Sequence, residues 1–376
     1  MAGNERINKN KRHGVLICGS YGHGNAGDEA ILEAIVESFR TAAPGLPITV
    51  MSRRPKETAK LRGVKAIYKF NPVAMLREML SARLYLNGGG SLIQDVTSSR
   101  SLYYYLFTIM AAKILGCRVI MYGCGIGPVR RPQNRRIARD IIDRFADTIT
   151  LREDDSLREL INFGIHRPKM LVTSDPALAL PPAPNAEVDT CMDTLGLDLR
   201  GEYLCIVPRK WQGFEKKARD FAECADSIAQ KFGLETVFLS IDHKNDALAA
   251  ELIAVHMKSP YHIIRDVLPS RLNIGILARM RAVISMRLHG LIFAAGQGVP
   301  LVGVSYDPKV TAFLRCIGQD NFAELSELTS KSLITMTENA LAMPRNQLEV
   351  QVRRLRDLES MNLQSALDLL KIEREC

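Results

Sequence analysis

The chain has 376 residues, 47% apolar and 24% charged, a globular composition too long for one hydrophobic core, so two domains are expected. That balance excludes a disordered or collagen-like chain. The formal net charge of +9 calls for an anionic partner, a phosphate-bearing substrate or a membrane surface, whereas the scarcity of aromatics in the basic N-terminal arm speaks against nucleic acid.

That arm, with Arg6, Lys9, Lys11 and Arg12, reads as a solvated tail able to touch anionic lipid. No signal peptide is expected, because the first apolar run, Val15 to Cys18, is far too short. Leu102 to Leu115, interrupted by Lys113, falls short of the roughly 20 residues a spanning helix needs. A cytoplasmic protein follows, at most peripheral on the inner face of the plasma membrane. The eight cysteines show neither a C-x-x-C pair nor zinc spacing, so free thiols in a reducing compartment and no metal site are expected.

In chain order, a strand at Gly14 to Gly19 breaks into the turn Ser20-Tyr-Gly-His-Gly-Asn-Ala-Gly27 and enters a helix with Asp28 in its first turn. Strand, glycine-rich turn and helix N-terminus leave backbone N–H groups and a positive dipole end where a phosphate or sugar can approach. The string is neither a Walker A loop nor a G-x-G-x-x-G fingerprint. A second strand ends in Asn87-Gly88-Gly89-Gly90-Ser91, expected to expose backbone to sugar hydroxyls. Asp95 beyond it serves equally as a ligand contact or a helix cap. The helix around Tyr103 to Tyr105 reads as buried, with one end free to line a lipid or sugar groove. A third glycine-rich strand end is Gly123 to Pro128. Arg152 leaves the strand Thr148 to Leu151, and Asp154 and Asp155 occupy a first helical turn, where negative charge is favourable.

Ser174-Asp175-Pro176 ends the first half, and Pro181 to Thr190 reads as the linker. The second half restarts with the strand Tyr203 to Val207, followed by Pro208-Arg209-Lys210-Trp211. A later strand ends in Asp242-His243-Lys244-Asn245-Asp246. The stretch Ala282 to Val310 is a strand, helix, strand unit whose polar residues Arg287, His289 and Lys309 fall at strand carboxyl ends, where open parallel sheets bind ligands. Three basic groups, one of them a titrating imidazole, suit a small polyanion that needs a proton moved. Two facing doubly wound α/β domains are expected, residues 1–185 and 186–345, with a helix over 346–376 that packs back on the first.

The strings GSYGHGNAGDEAI, NGGGSLIQD, GCGIGPV, LREDDSLREL, SDPAL, SMRLHG and YDPKV, in that order from Gly14 to Phe313, resemble the polysaccharide pyruvyl transferases. Within that family the sequence looks most like the bacterial cell-wall enzymes that help anchor surface-layer proteins. The resemblance implies a GT-B type fold and phosphoenolpyruvate as donor, with no other cofactor and no metal. It also implies a 4,6-linked pyruvate ketal on N-acetylmannosamine of a lipid-linked glycan. By the same resemblance, Arg152, Arg287, His289 and Lys309 are the donor-binding and catalytic residues. Further candidate contacts are Gly22, Gly24, Asn25, Asp28, Asn87, Gly89, Gly90, Asp95, Asp175 and Arg209, with residues 1–185 as the acceptor side. Two rivals remain, a GT-B glycosyltransferase using a nucleotide sugar and a non-catalytic polysaccharide-binding protein.

Overall fold

The computed structural model describes residues 12–96, 98–242 and 245–371. They form two compact units. The first comprises residues up to His23, Ile31–Pro176 and Leu358 onward, and the second comprises Gly24–Ala30 and Ala177–Asp357.

The first unit strings together β1 (Val15–Cys18), α1 (Ala26–Ala42, whose first turn up to Ala30 belongs to the second unit), β2 (Ile48–Ser52), α2 (Pro55–Arg62), β3 (Lys65–Tyr68), α3 (Pro72–Ser81), β4 (Leu84–Ile93), α4 (Ser99–Ile114), β5 (Arg118–Ile126), α5 (Pro132–Phe145), β6 (Thr148–Leu151), α6 (Asp154–Phe163) and β7 (Lys169–Val172). The strands make one parallel sheet in the order β3-β2-β1-β4-β5-β6-β7. The inner strands are short apolar runs buried along their length, as expected of a parallel sheet covered on both faces. Local chemistry sets the helix ends. Asn71 caps α3 by accepting from the Ala74 N–H, with Pro72 in the first turn, and Gly164 stops α6 in the left-handed region. The strand order reverses between β1 and β4, so the loops after these two strands flank the point where such sheets open a crevice.

The second unit runs through α7 (Asn185–Thr194), β8 (Tyr203–Val207), α8 (Ala218–Phe232), β9 (Glu235–Leu239), α9 (Asp246–Ala254), β10 (Tyr261–Ile264), α10 (Ser270–Ala278), β11 (Ala282–Ser285), α11 (Leu288–Gly296), β12 (Leu301–Ser305), α12 (Pro308–Cys316), β13 (Phe322–Glu324), α13 (Ser330–Ala342) and α14 (Glu349–Leu370). Its parallel sheet has the order β10-β9-β8-β11-β12-β13, with the reversal between β8 and β11. From Leu358 onward α14 belongs to the first unit. There Asn362 accepts from the Thr173 hydroxyl at 2.7 Å and donates to the Ser174 carbonyl at 2.9 Å. Among the described residues no helix is long and apolar enough to cross a membrane.

Three local expectations change. The strand before Gly88-Gly89-Gly90 does not end there: β4 continues to Ile93, paired with β5 through a register shift. Gly89, at φ +60, lies so close to Ile31 that a Cβ would overlap that side chain. The supposed exposed turn is therefore buried strand. The linker is shorter than its prolines suggest, because α7 begins at Asn185, directly after Pro184. Arg12 is no tail residue. Its guanidinium donates to the carbonyls of Met79 and Leu115, closing the ends of α3 and α4. Arg6, Lys9 and Lys11 lie outside the described residues.

Candidate functional site

In the first unit four of the sequence motifs meet on one guanidinium. Arg152 follows β6 and is buried. Its Nε donates to Glu153 at 2.9 Å, its Nη1 to Asp175 at 2.9 Å and its Nη2 to the Ser91 hydroxyl at 3.1 Å. Gly125 leaves it room, since a Cβ there would press on the guanidinium. Burial alone would lower the pKa of Arg152, but Glu153 and Asp175 outweigh it and raise it above the ordinary value. With all three nitrogens engaged, Arg152 and Asp175 form a buried lock joining β4, β5, β6 and the segment after β7. A donor grip by Arg152 would require this lock to open.

The other candidates in this unit are also largely committed to the fold. Asp95 accepts from the Arg130 and Arg131 N–H groups at 2.7 and 3.0 Å and from Asn134 at 2.8 Å, so it fastens the start of α5. Gly22, at φ +76, is packed against Ser52 and Arg54. Asn87 and Gly90 lie within the buried β4. Tyr21, unnoticed in the sequence, is buried beneath the same crevice and donates to the Gly88 carbonyl at 2.9 Å.

Around that crevice the first unit collects cations. Lys69 is buried, donates to the Gly19 carbonyl at 3.1 Å and lies 5.2 Å and 5.3 Å from the ring centres of Tyr104 and Tyr105. Burial lowers the pKa of His23, and the neighbouring Lys69, Arg53 and Arg54 lower it further.

The second unit gathers its polar groups on both sides of the β8/β11 reversal. Arg287, buried after β11, is the N-cap of α11 and donates from Nε to both oxygens of Asp246 at 2.9 and 3.1 Å. Its Nη2 reaches Asp246 and, at 3.0 Å, Asp242. Burial would lower its pKa, but the carboxylate of Asp246 raises it. Asp246 is itself held by the Ile241 and Asp242 N–H groups at 3.0 and 2.9 Å. Nη1 of Arg287 makes no hydrogen bond to a described residue, whereas Nε and Nη2 are both engaged.

His289 follows two residues later in the first turn of α11, half-buried, its ring 5.9 Å from that of Phe293. The loop motif Gly24-Asn25-Ala26-Gly27-Asp28 packs on the same imidazole. A Cβ on Gly27 would fall within the His289 ring. The missing side chain admits the protein's own histidine, where the sequence suggested room for a ligand. Asn25 fixes this placement. Its side-chain oxygen accepts from the Gly27 and Asp28 N–H groups at 2.9 and 3.1 Å, capping α1 with Asp28 in its first turn. The Ala26 N–H donates to the Ile241 carbonyl at 2.9 Å. Gly24, at φ +77, borders open space.

Across the reversal, Arg209 follows β8 and lies against the touching pair Trp211 and Tyr306, 4.9 and 4.8 Å from their ring centres, with Nη1 donating to the Tyr306 hydroxyl. Its Nε is buried and meets no acceptor among the described residues. Lys309, on β12's side, pairs with its own helix cap Asp307 at 3.2 Å and is partly exposed. Arg209, Arg287, His289 and Lys309 thus stand at the carboxyl ends of β8, β11 and β12, three adjacent strands.

Sequence reading missed Asp242 and Asp246, which hold Arg287, and the aromatic pair against which Arg209 lies. The two aspartates were visible in the string after β9, but only the strand order β9-β8-β11 brings them to Arg287.

A family model described as polysaccharide pyruvyl transferase matches residues 25–308. The chain belongs to that family. It is accordingly an enzyme that transfers a pyruvyl group to a polysaccharide. The amylovoran biosynthesis protein AmsJ of Erwinia amylovora is 23% identical over 399 residues, covering 87% of this chain and 92% of that protein. Among solved structures, the UDP-GlcNAc 2-epimerase from Neisseria meningitidis bound to UDP-GlcNAc superposes with a TM-score of 0.61 at 11% identity, covering 94% of this chain and 99% of the other. MnaA of S. aureus, solved with UDP, gives 0.65 at 10% identity, covering 96% and 99%. At such identities these structures establish the fold alone, two Rossmann-like units of the GT-B type.

Proposed function

We propose that the pyruvyl donor is phosphoenolpyruvate and that it binds at the carboxyl ends of β8, β11 and β12. The supporting observation is the grouping of Arg209, the open Nη1 edge of Arg287, Lys309 and the half-buried His289 at the β8/β11 reversal of the second unit. A donor carrying both a carboxylate and a phosphate matches several cations held in fixed orientations, and guanidinium forks suit such groups. Arg152 supports the enzyme through its lock with Asp175 and does not touch the donor.

The acceptor offers two hydroxyls, on our reading O4 and O6 of N-acetylmannosamine in a lipid-linked disaccharide. Ketal formation adds a proton to the methylene carbon of phosphoenolpyruvate and forms two C–O bonds at its central carbon as the phosphate bond breaks. The two hydroxyl protons balance the reaction, one ending on the new methyl group and one leaving with phosphate. His289 is the proton carrier at this site, and Lys309 neutralises the departing phosphate. Asp28, in the same first helical turn as Gly27, is a candidate base toward the acceptor.

Inorganic phosphate release from phosphoenolpyruvate, with and without the lipid-linked disaccharide, tests this reading. Acceptor-dependent release by the wild type and its loss in His289→Ala are expected. Thermal stabilisation by a nucleotide sugar with no response to phosphoenolpyruvate would overturn the donor assignment, and binding of phosphoenolpyruvate without turnover would overturn the acceptor.

A further inference from the structure

Helix α3 carries an apolar face wider than the core covers. Met75 and Met79 point into the core of the first unit, as a surface helix requires, yet Val73 and Leu76 are exposed, Val73 at 75%. An apolar helix face is normally covered along its whole width. Val73, Leu76, Arg77, Leu80 and Ser81 line an open trough of about 520 Å³. Just before the helix, Phe70 is 51% exposed, with its ring 5.3 Å from that of Tyr104. Helix α4, packed on the same hydrophobic core, adds an outward row of Tyr103, Phe107 and Ile114, all exposed.

Charge decides what covers this face. Residues 53–78 hold eight basic and two acidic side chains; among the bases Lys69 is buried and Arg62 pairs with Glu33 of α1 at 2.5 Å, while Arg53 and Arg77 are exposed. Both acids are answered locally, Glu57 by Arg54 at 3.5 Å and the buried Glu78 by Lys65 at 2.5 Å. Arg77 lines the trough, and the Arg53 guanidinium lies 5.6 Å from the ring centres of Tyr68 and Phe70. Apolar side chains flanked by aromatics and then by cations follow the polarity profile of an anionic bilayer surface: acyl chains, interface, headgroups.

We propose that the α3/α4 face of the first unit docks on an anionic membrane, with Phe70, Val73, Leu76 and Leu80 entering the interface and Arg53 and Arg77 meeting lipid phosphates. The site is separate from the donor residues of the second unit and does not depend on the identity of the donor.

Flotation of the full chain with vesicles tests it. Wild type is expected to float with vesicles containing 30% phosphatidylglycerol, at roughly tenfold or greater partitioning over pure phosphatidylcholine, since each basic residue near an anionic surface contributes about fivefold. The double variant Val73→Glu/Leu76→Glu should lose that binding at least about tenfold, and Arg53→Ala/Arg77→Ala should lower it and flatten its salt dependence. All four side chains are exposed, so circular dichroism and phosphoenolpyruvate binding should be unchanged. Absence of wild-type flotation, or equal flotation by the glutamate variant, would overturn the proposal. So would a wild-type dimer that the same glutamates convert to monomer, because a second copy would then cover the face.

Discussion

Arg152 and Arg287 occupy matching places in two parallel sheets. Each leaves a buried strand at its carboxyl end just before a helix, each is buried, and each is paired with two carboxylates. They differ in what is left over. Arg152 has every nitrogen engaged and is followed two residues later by Asp154, whereas Arg287 keeps one edge open and is followed by His289. The same address in an α/β sheet thus gives a fully engaged guanidinium in one unit and, in the other, one with a free edge beside an imidazole.

The strongest way to break that contrast is to remove the imidazole. His289→Ala should lower acceptor-dependent phosphate release by about 10²- to 10⁴-fold, the usual contribution of a positioned acid or base, with a melting temperature close to wild type. Retained turnover would move the chemistry away from the second unit.

Arg152→Ala tests the other side. It leaves the buried Asp175 and the partly buried Glu153 without their cation, which should cost about 3–5 kcal/mol in urea unfolding. The surviving folded fraction should still bind phosphoenolpyruvate with near wild-type affinity. A fully stable Arg152→Ala protein that no longer binds the donor would show that Arg152 and Arg287 share one task.

Gly27→Ala sharpens the contrast without touching a charge. A methyl group there must displace the His289 ring, and misplacing a catalytic group by about 1 Å can cost roughly 10²-fold in rate. Turnover should fall by about 10- to 10²-fold, with donor affinity little changed. If donor affinity falls as much as turnover, His289 binds the donor and does not move its proton.

The strands were legible because a buried parallel strand is a continuous apolar run, and both reversals follow from where the chain crosses back. The glycines of β4 hid its second half, since residues that favour turns sit there inside a ladder. The place of Arg287 and His289 after β11 was legible from the apolar run that precedes them. Its Asp246 anchor was not, because hydrogen bonding between strands distant in sequence decides which acid meets which base. Gly27 was read as space for a ligand, and only the packed fold shows that His289 fills it. Arg12 looked like a tail because nothing local to it reveals the carbonyls it reaches at Met79 and Leu115.

The smallest expected effect concerns the other loop histidine. His23 keeps part of its ring in solvent, and the partial burial of the rest, followed by Lys69, Arg53 and Arg54, lowers its pKa below the ordinary 6.5. A base with a depressed folded pKa binds fewer protons in the folded state. Its contribution to stability is therefore complete above pH 6.5 and is lost as pH falls through that value toward the folded pKa. Because the ring faces solvent, screening should hold the effect below about 1 kcal/mol. Urea unfolding at pH 7.5 and 5.5 in low salt should show this loss in wild type, less of it in His23→Gln, and less again at high salt. An equal loss in both proteins would place the acid-sensitive group elsewhere. A salt-sensitive difference confined to His23 would show that the glycine-rich loop of the first unit ends among like charges, unlike the loop residues that pack on His289 in the second.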